Sequence, residues 1–186
     1  DVVVGNTEQS TISLFLNADG GRLMANSPSI NIGCQPIRMQ LFDINEDGRI
    51  DLIIACQNPN EIRVLRNQDS GTSTLFSAPY THSYSVTTDQ GQIPIIRAMS
   101  IGNLDSDNQP DIAIGTDIGL RIINSPKPNQ SSSNDYVISV PVVGRISALS
   151  TGDITGDRGI DVSAIVDGQA VQVISYEGFG SYNKHS

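Results

Sequence analysis

DINEDGRIDLIIA, residues 43–55, sets four acidic residues and one arginine within its first nine positions and then runs directly into apolar residues. So charged a segment belongs in solvent, whereas LIIA, apolar throughout, reads as a strand buried on both faces. The two demands meet at Asp51, and the same junction recurs along the chain.

An aspartate followed by an apolar run appears as DVVVG, DLIIA, DIAIG and DVSAI, at Asp1, Asp51, Asp111 and Asp161, with separations of 50, 60 and 50 residues. That period is about the length of a four-stranded propeller blade. After a short polar turn each run is followed by a second one, TISLFLN, EIRVLRN, LRIINS or VQVISY, which is a hairpin signature. In EIRVLRN, Ile62 and Val64 alternate with Arg63, the period of a strand with one wetter face. Further strand candidates precede the acidic loops (IRMQLF, IIRAMSIG, RISALS) and trail the hairpins (LFSAPYTHSYSV, DYVISVPVV). No segment holds a 3.6-residue apolar period.

The reading is therefore all-β: four-stranded antiparallel β-propeller blades, about three and a half to four of them, in a single domain over 1–186 with units at 1–35, 36–92, 93–143 and 144–186. The first unit begins at its second strand and the closing FGSYNKHS makes a poor outer strand. Part of a larger ring, or a partial ring that needs a partner, is the expectation. Segments 67–74 and 125–134 read as insertions on blade edges, the second carrying an N-glycosylation acceptor at Asn129.

Composition narrows the function. Twenty acidic residues against 11 basic ones give a net charge of −9, a field that repels nucleic acid and anionic membrane and attracts cations. No apolar run approaches the roughly 20 residues that span a bilayer, so membrane insertion is not expected. The chain starts at Asp1 without an initiator methionine or a signal segment, which reads as processed or cut from something longer. Cys34 and Cys56 are the only cysteines, and a hairpin between them allows either one bridge or two buried thiols.

Aligned on their last aspartate, the acidic loops are DINEDGRID (43–51), NLDSDNQPD (103–111) and DITGDRGID (153–161). Oxygen-bearing side chains recur at positions one, three, five and nine: Asp43, Asn45, Asp47 and Asp51; Asn103, Asp105, Asp107 and Asp111; Asp153, Thr155, Asp157 and Asp161. Position seven, held by Arg49, Gln109 and Gly159, shares no side chain, so its backbone carbonyl is the natural contributor. Alternate oxygens on a tightly curled loop are how a chain wraps Ca2+, a hard cation that takes six to eight of them. Asp/Asn/Gly-rich turns also occur without metal. Three in register favour the ion, because it removes the mutual repulsion of clustered carboxylates. Position six calls for a left-handed backbone, free for Gly48, tolerated by Asn108 and strained for Arg158, so the 43–51 loop is expected to bind tightest and the 153–161 loop weakest. An EF-hand is excluded, since its twelfth-position glutamate is here Ile54 and the flanks are strands.

With their hairpins, DINEDGRIDLIIA, NLDSDNQPDIAIG and DITGDRGIDVSAI resemble the FG-GAP or VCBS-type repeats of integrin α-subunit propellers, of many secreted or surface microbial proteins and of some fungal lectins. The Phe-Gly and Gly-Ala-Pro signatures as such are absent. The resemblance implies a calcium-binding propeller and carries the ligand role to the loop positions named above. It points to a calcium-stabilised extracellular or cell-surface binding or adhesion module without catalysis, meeting a protein or glycan ligand. The alternative is a structural subunit of a surface fibre or larger assembly, with self-association through open blade edges. His82, in a polar stretch, and His185, in the tail, read as solvated, and no nucleophile elbow, phosphate loop or zinc cluster is visible. Tyr80, Tyr84, Tyr136, Tyr176 and Tyr182 read mainly as outer-strand packing, with lining of a sugar site as the other use.

Overall fold

A computed structural model of the chain describes residues 1–18, 21–67, 76, 82–88, 90–105, 107–126, 137–140, 142–178 and 181–185. Its strands fall into four antiparallel sheets. The first has three strands, β1 (Val2–Asn6), β2 (Thr11–Ala18) and β3 (Arg22–Asn31). The second is β4 (Gln35–Phe42), β5 (Asp51–Gln57), β6 (Glu61–Leu65) and β7 (His82–Ser85). The third is β8 (Ile96–Gly102), β9 (Asp111–Thr116), β10 (Leu120–Ile123) and β11 (Val137–Val140). The fourth is β12 (Ile146–Gly152), β13 (Asp161–Val166), β14 (Ala170–Gly178) and β15 (Ser181–His185). In every sheet the strands pair in chain order, as meanders, which is the connectivity of propeller blades. The closing segment, expected to make a poor outer strand, forms β15 and pairs along β14 from Val173↔His185 to Gly178↔Ser181. Backbone pairing there needs no apolar alternation.

The apolar run after each aspartate explains how the sheets stack. Leu52, Ile54 and Cys56 of β5 pack with Ile12, Leu14 and Ile32 of the first unit. Ile53 and Ala55, on the opposite face, pack with Ile96, Ile112 and Ile114 of the third sheet. In β9 the pattern repeats, with Ala113 turned toward Val162, Ala164 and Val166. Because successive side chains point to opposite faces, a strand sandwiched between two neighbours must be apolar at every position. Close approach also decides Gly115, where a Cβ would lie 2.5 Å from Ile146 Cγ2 in the adjoining sheet.

Two local details depart from, or settle, the sequence reading. Arg63 does not face water: it is 5% exposed, pairs with Glu61 and donates to the Ile32 carbonyl in the link between the first two sheets. A single arginine among apolar residues thus bridges sheets, as a long stem with several donors can. Cys34 and Cys56 form a disulfide with a Cα–Cα distance of 5.7 Å, buried in that same interface. Most of 67–74 and 125–134, Asn129 included, lies outside the described residues.

Candidate metal centre

Each acidic loop joins the end of the first strand of a four-stranded sheet, an edge strand, to the start of the second: β4 to β5, β8 to β9 and β12 to β13. The ninth-position aspartates Asp51, Asp111 and Asp161 are buried, with relative exposures of 0%, 0% and 1%. Their carboxylates tie the chain together. Asp51 Oδ1 accepts from Asn67 N at 2.8 Å, just beyond β6, and Asp111 Oδ1 accepts from Ser125 N at 2.7 Å, just beyond β10. Asp111 Oδ2 takes Leu104 N at 2.6 Å, and Asp161 Oδ2 takes Ile154 N and Thr155 N, both at 2.8 Å, and Thr155 Oγ1 at 3.1 Å. These bonds are one reason a carboxylate stands at the edge of an apolar core, since a buried charge must be met by donors.

Inside the loops the carboxylates curl the backbone around themselves. Asp43 accepts Asp47 N at 3.1 Å and Gly48 N at 2.8 Å; Asp153 accepts Gly156 N at 2.7 Å and Arg158 N at 3.2 Å. Position five repeats one contact in all three loops: Asp47, Asp107 and Asp157 accept the amide of position seven, Arg49, Gln109 and Gly159, at 3.0, 2.7 and 2.8 Å. Position six is left-handed throughout, with φ of 83° at Gly48, 64° at Asn108 and 74° at Arg158. A non-glycine residue in that region is strained by about 1–2 kcal/mol. Arg158→Gly, even after its greater unfolded-state entropy is subtracted, is therefore expected to gain up to about 1 kcal/mol, read as a rise in Tm in saturating calcium; an unchanged or lower Tm would show that the loop carries no such strain.

Not every loop oxygen finds a donor. Asp51 Oδ2, Asn45 Oδ1 and Asn103 Oδ1 are buried with no hydrogen-bond partner among the described residues. Burial pushes the carboxyls of Asp51 and Asp105 up, and that of Asp111 up to about 6. The solvent-exposed Asp47 is held below the usual range by Asn45 and Arg49, with Arg49 Nη2 at 2.6 Å from its Oδ2 and Asn45 Nδ2 at 2.9 Å. Arg49, assigned a backbone-carbonyl role by position, thus also competes for a loop carboxylate through its side chain. Among the described residues no three carboxylates, histidines or cysteines gather at one point. The loops are brought together as curled turns, each around its own amides.

The match with known families falls on this stretch. Residues 43–114 match the FG-GAP-like repeat. The FG-GAP-like segment begins on Asp43, the first residue of the first loop, and ends on Ile114 in β9, so it takes in two of the three acidic loops and the strands β5 to β8 between them. Together with the four meander sheets, the match is consistent with propeller-like blades built from FG-GAP-type repeats. No curated protein matches the chain. Of the other residues singled out in the sequence, Tyr84 is buried in the core, its hydroxyl pushed up to about 12 by burial, and Tyr176 packs beside the last two sheets. His82, expected in solvent, is half-buried on β7 opposite Val64, and burial lowers its pKa. Tyr80 and Tyr136 lie outside the described residues, and of Tyr182 and His185 only the backbone, in β15, is described.

Proposed function

We propose that the chain is a calcium-stabilised binding or adhesion module working outside the cell. The observation that carries the reading is the set of buried loop oxygens left without donors, Asp51 Oδ2, Asn45 Oδ1 and Asn103 Oδ1, all in the first two loops. Uncompensated buried oxygens are costly, and a hard cation compensates them. Asp43, Asn45, Asp47, Asp51 and the Arg49 carbonyl would hold one ion, and Asn103, Asp105, Asp107, Asp111 and the Gln109 carbonyl a second. The third set is Asp153, Thr155, Asp157, Asp161 and the Gly159 carbonyl. Its ninth-position oxygen Asp161 Oδ2 is already met by three donors of its own loop, which supports ranking it last. The ion supplies structure, neutralising the turn that adjoins the core. The disulfide favours an oxidising compartment, consistent with placement outside the cell. Calorimetric titration with Ca2+ tests the reading. Two tight sites and one weak site are expected, with the first lost in Asp51→Asn and little heat from Mg2+; a flat titration would overturn the proposal.

The pH dependence has a definite sign. In chelator, a carboxyl raised to about 6 in the folded state, as Asp111 is, holds its proton longer when folded than when unfolded. It therefore destabilises the fold as pH rises from about 4 through 6. A bound cation competes with that proton, so calcium affinity at the second loop is expected to fall as pH drops below 6. Melts between pH 5 and 7.5, with EDTA and with calcium, should show opposite slopes.

A second reading, a structural subunit of a larger assembly, is favoured by the two end faces. Val2 and Val4 are 42% and 40% exposed on the first sheet, and Ile165 and Val171 are 38% and 66% exposed on the last. Sedimentation at rising concentration separates the two readings, since an assembly subunit self-associates.

A further inference from the structure

Three of the chain's 11 basic residues line one groove of about 410 Å3: Arg38, Arg97 and Arg145. They come from three different sheets, Arg38 from the first half of β4, Arg97 from the second residue of β8 and Arg145 from the residue before β12. The acidic loops follow the opposite ends of those same strands, so the groove lies roughly 20 Å from them, the length of a seven-residue strand. Three other arginines are engaged by side-chain partners: Arg49 pairs with Asp47, Arg63 with Glu61, and Arg121 Nη1 donates to Ser139 Oγ at 2.8 Å. Arg38, Arg97 and Arg145 make no ion pair with any described carboxylate, and the Nε of Arg97 is buried with no hydrogen-bond partner among the described residues. Arg38 spends one donor on its neighbour, Nη1 to the Ile37 carbonyl at 2.7 Å.

Two carboxylates stand beside the groove, and both are engaged by backbone. Asp117 Oδ1 accepts Ile95 N at 2.7 Å and Asp167 Oδ1 accepts Arg145 N at 2.9 Å. The position equivalent to these two, sixth after the strand's aspartate, is Gln57 in the second sheet, and Gln57 lines the groove. The groove is thus locally cationic on a chain of net charge −9.

We propose that this groove is the ligand site and that its ligand is an acidic saccharide, bound through a sulfate or carboxylate group. Guanidinium groups pair with such oxyanions through two parallel hydrogen bonds, and three on separate sheets can hold a ligand with more than one anionic group. The groove falls within the roughly 300–1,000 Å3 of small-molecule sites. Its other walls suit a sugar: Gln57 and Ser147 offer neutral donors and acceptors for hydroxyls, while Ile37 and the exposed Ile95 offer apolar surface for ring C–H faces. The inference rests on the reading of the chain as a binding module, and not on the acidic loops.

Surface plasmon resonance over an immobilised sulfated oligosaccharide, a uronate oligosaccharide and a neutral one tests it, with polyglutamate and inorganic sulfate as competitors. Retention on one or both acidic surfaces and not on the neutral one is expected, weakening as salt is raised. Arg38→Gln and Arg145→Gln, both at exposed positions, are each expected to weaken binding by about tenfold or more. Arg97→Lys keeps the charge but loses the paired geometry, and is expected to fall between them and the parent. Failure of both acidic surfaces to retain the chain, or equal retention of the two Arg→Gln variants, overturns the proposal. So does displacement by polyglutamate or inorganic sulfate at concentrations matching the oligosaccharide, since the groove would then read a peptide carboxylate or a lone ion. Melting the same samples with and without calcium separates the failures: stabilisation by calcium without saccharide binding refutes the groove alone, and the reverse refutes the loops alone.

Discussion

Melting the chain in excess EDTA and again in calcium at a hundredfold excess over the dissociation constant is expected to give transitions about 10–20 °C apart. A ligand that binds only the folded state stabilises it by about 2.7 kcal/mol per site at that excess. The two proposed sites, 43–51 and 103–111, are therefore expected to contribute about 5 kcal/mol together, and each kcal/mol moves the Tm of a chain this size by about 2–4 °C. The loops stand where such an ion matters most, because Asp51 and Asp111 are buried at the first residues of β5 and β9, the strands on which both neighbouring sheets pack. Asp51→Asn should remove about half the shift while leaving the EDTA transition close to the parent. Superimposable curves in EDTA and calcium would refute the ion's structural role.

The second large effect concerns the buried disulfide. Cys34→Ala/Cys56→Ala is expected to lose about 3 kcal/mol, because the bridge closes a loop of 22 residues and removes that freedom from the unfolded chain. The shift in Tm is then roughly 10 °C. Placement sharpens the expectation. The bridge lies against Ile32, Leu52, Ile54 and Leu65, where Arg63 also reaches the Ile32 carbonyl, so its loss acts on the interface between the first and second sheets. Melts in calcium with and without reductant check it, and a double variant as stable as the parent would show the bridge to be dispensable.

The repeat was legible because it is written twice in three of its four units, once in the apolar strand and once in the oxygens ahead of it. DLIIA and DIAIG are apolar at every position because both faces are buried, and the left-handed position six follows from Gly48 and Asn108. Arg63 was misread because alternation reports side-chain polarity, and an arginine of opposite polarity to its neighbours can still be buried when a carbonyl across the interface accepts a hydrogen bond from its guanidinium. The last strand was misread for a related reason. FGSYNKHS lacks an apolar face, yet a strand at the edge of a sheet is held by backbone bonds to a single neighbour, and composition says little about those. The arginine groove left no local mark: Arg38, Arg97 and Arg145 are scattered in the sequence, and only the stacking of three sheets brings them to one place.

The alternating allegiance of the inner strands has a mechanical corollary. β5 and β9 each serve two interfaces, whereas β13 buries Val162, Ala164 and Val166 on one side and leaves Ile165 open on the other. In a stack where each layer touches only its neighbours, cohesion is a sum of adjacent contacts, and a layer gripped from one side is the first to peel. Under load or mild denaturant, the sheet of β12 to β15, where nothing further among the described residues covers Ile165, is expected to loosen before the second and third sheets, which are clamped from both sides.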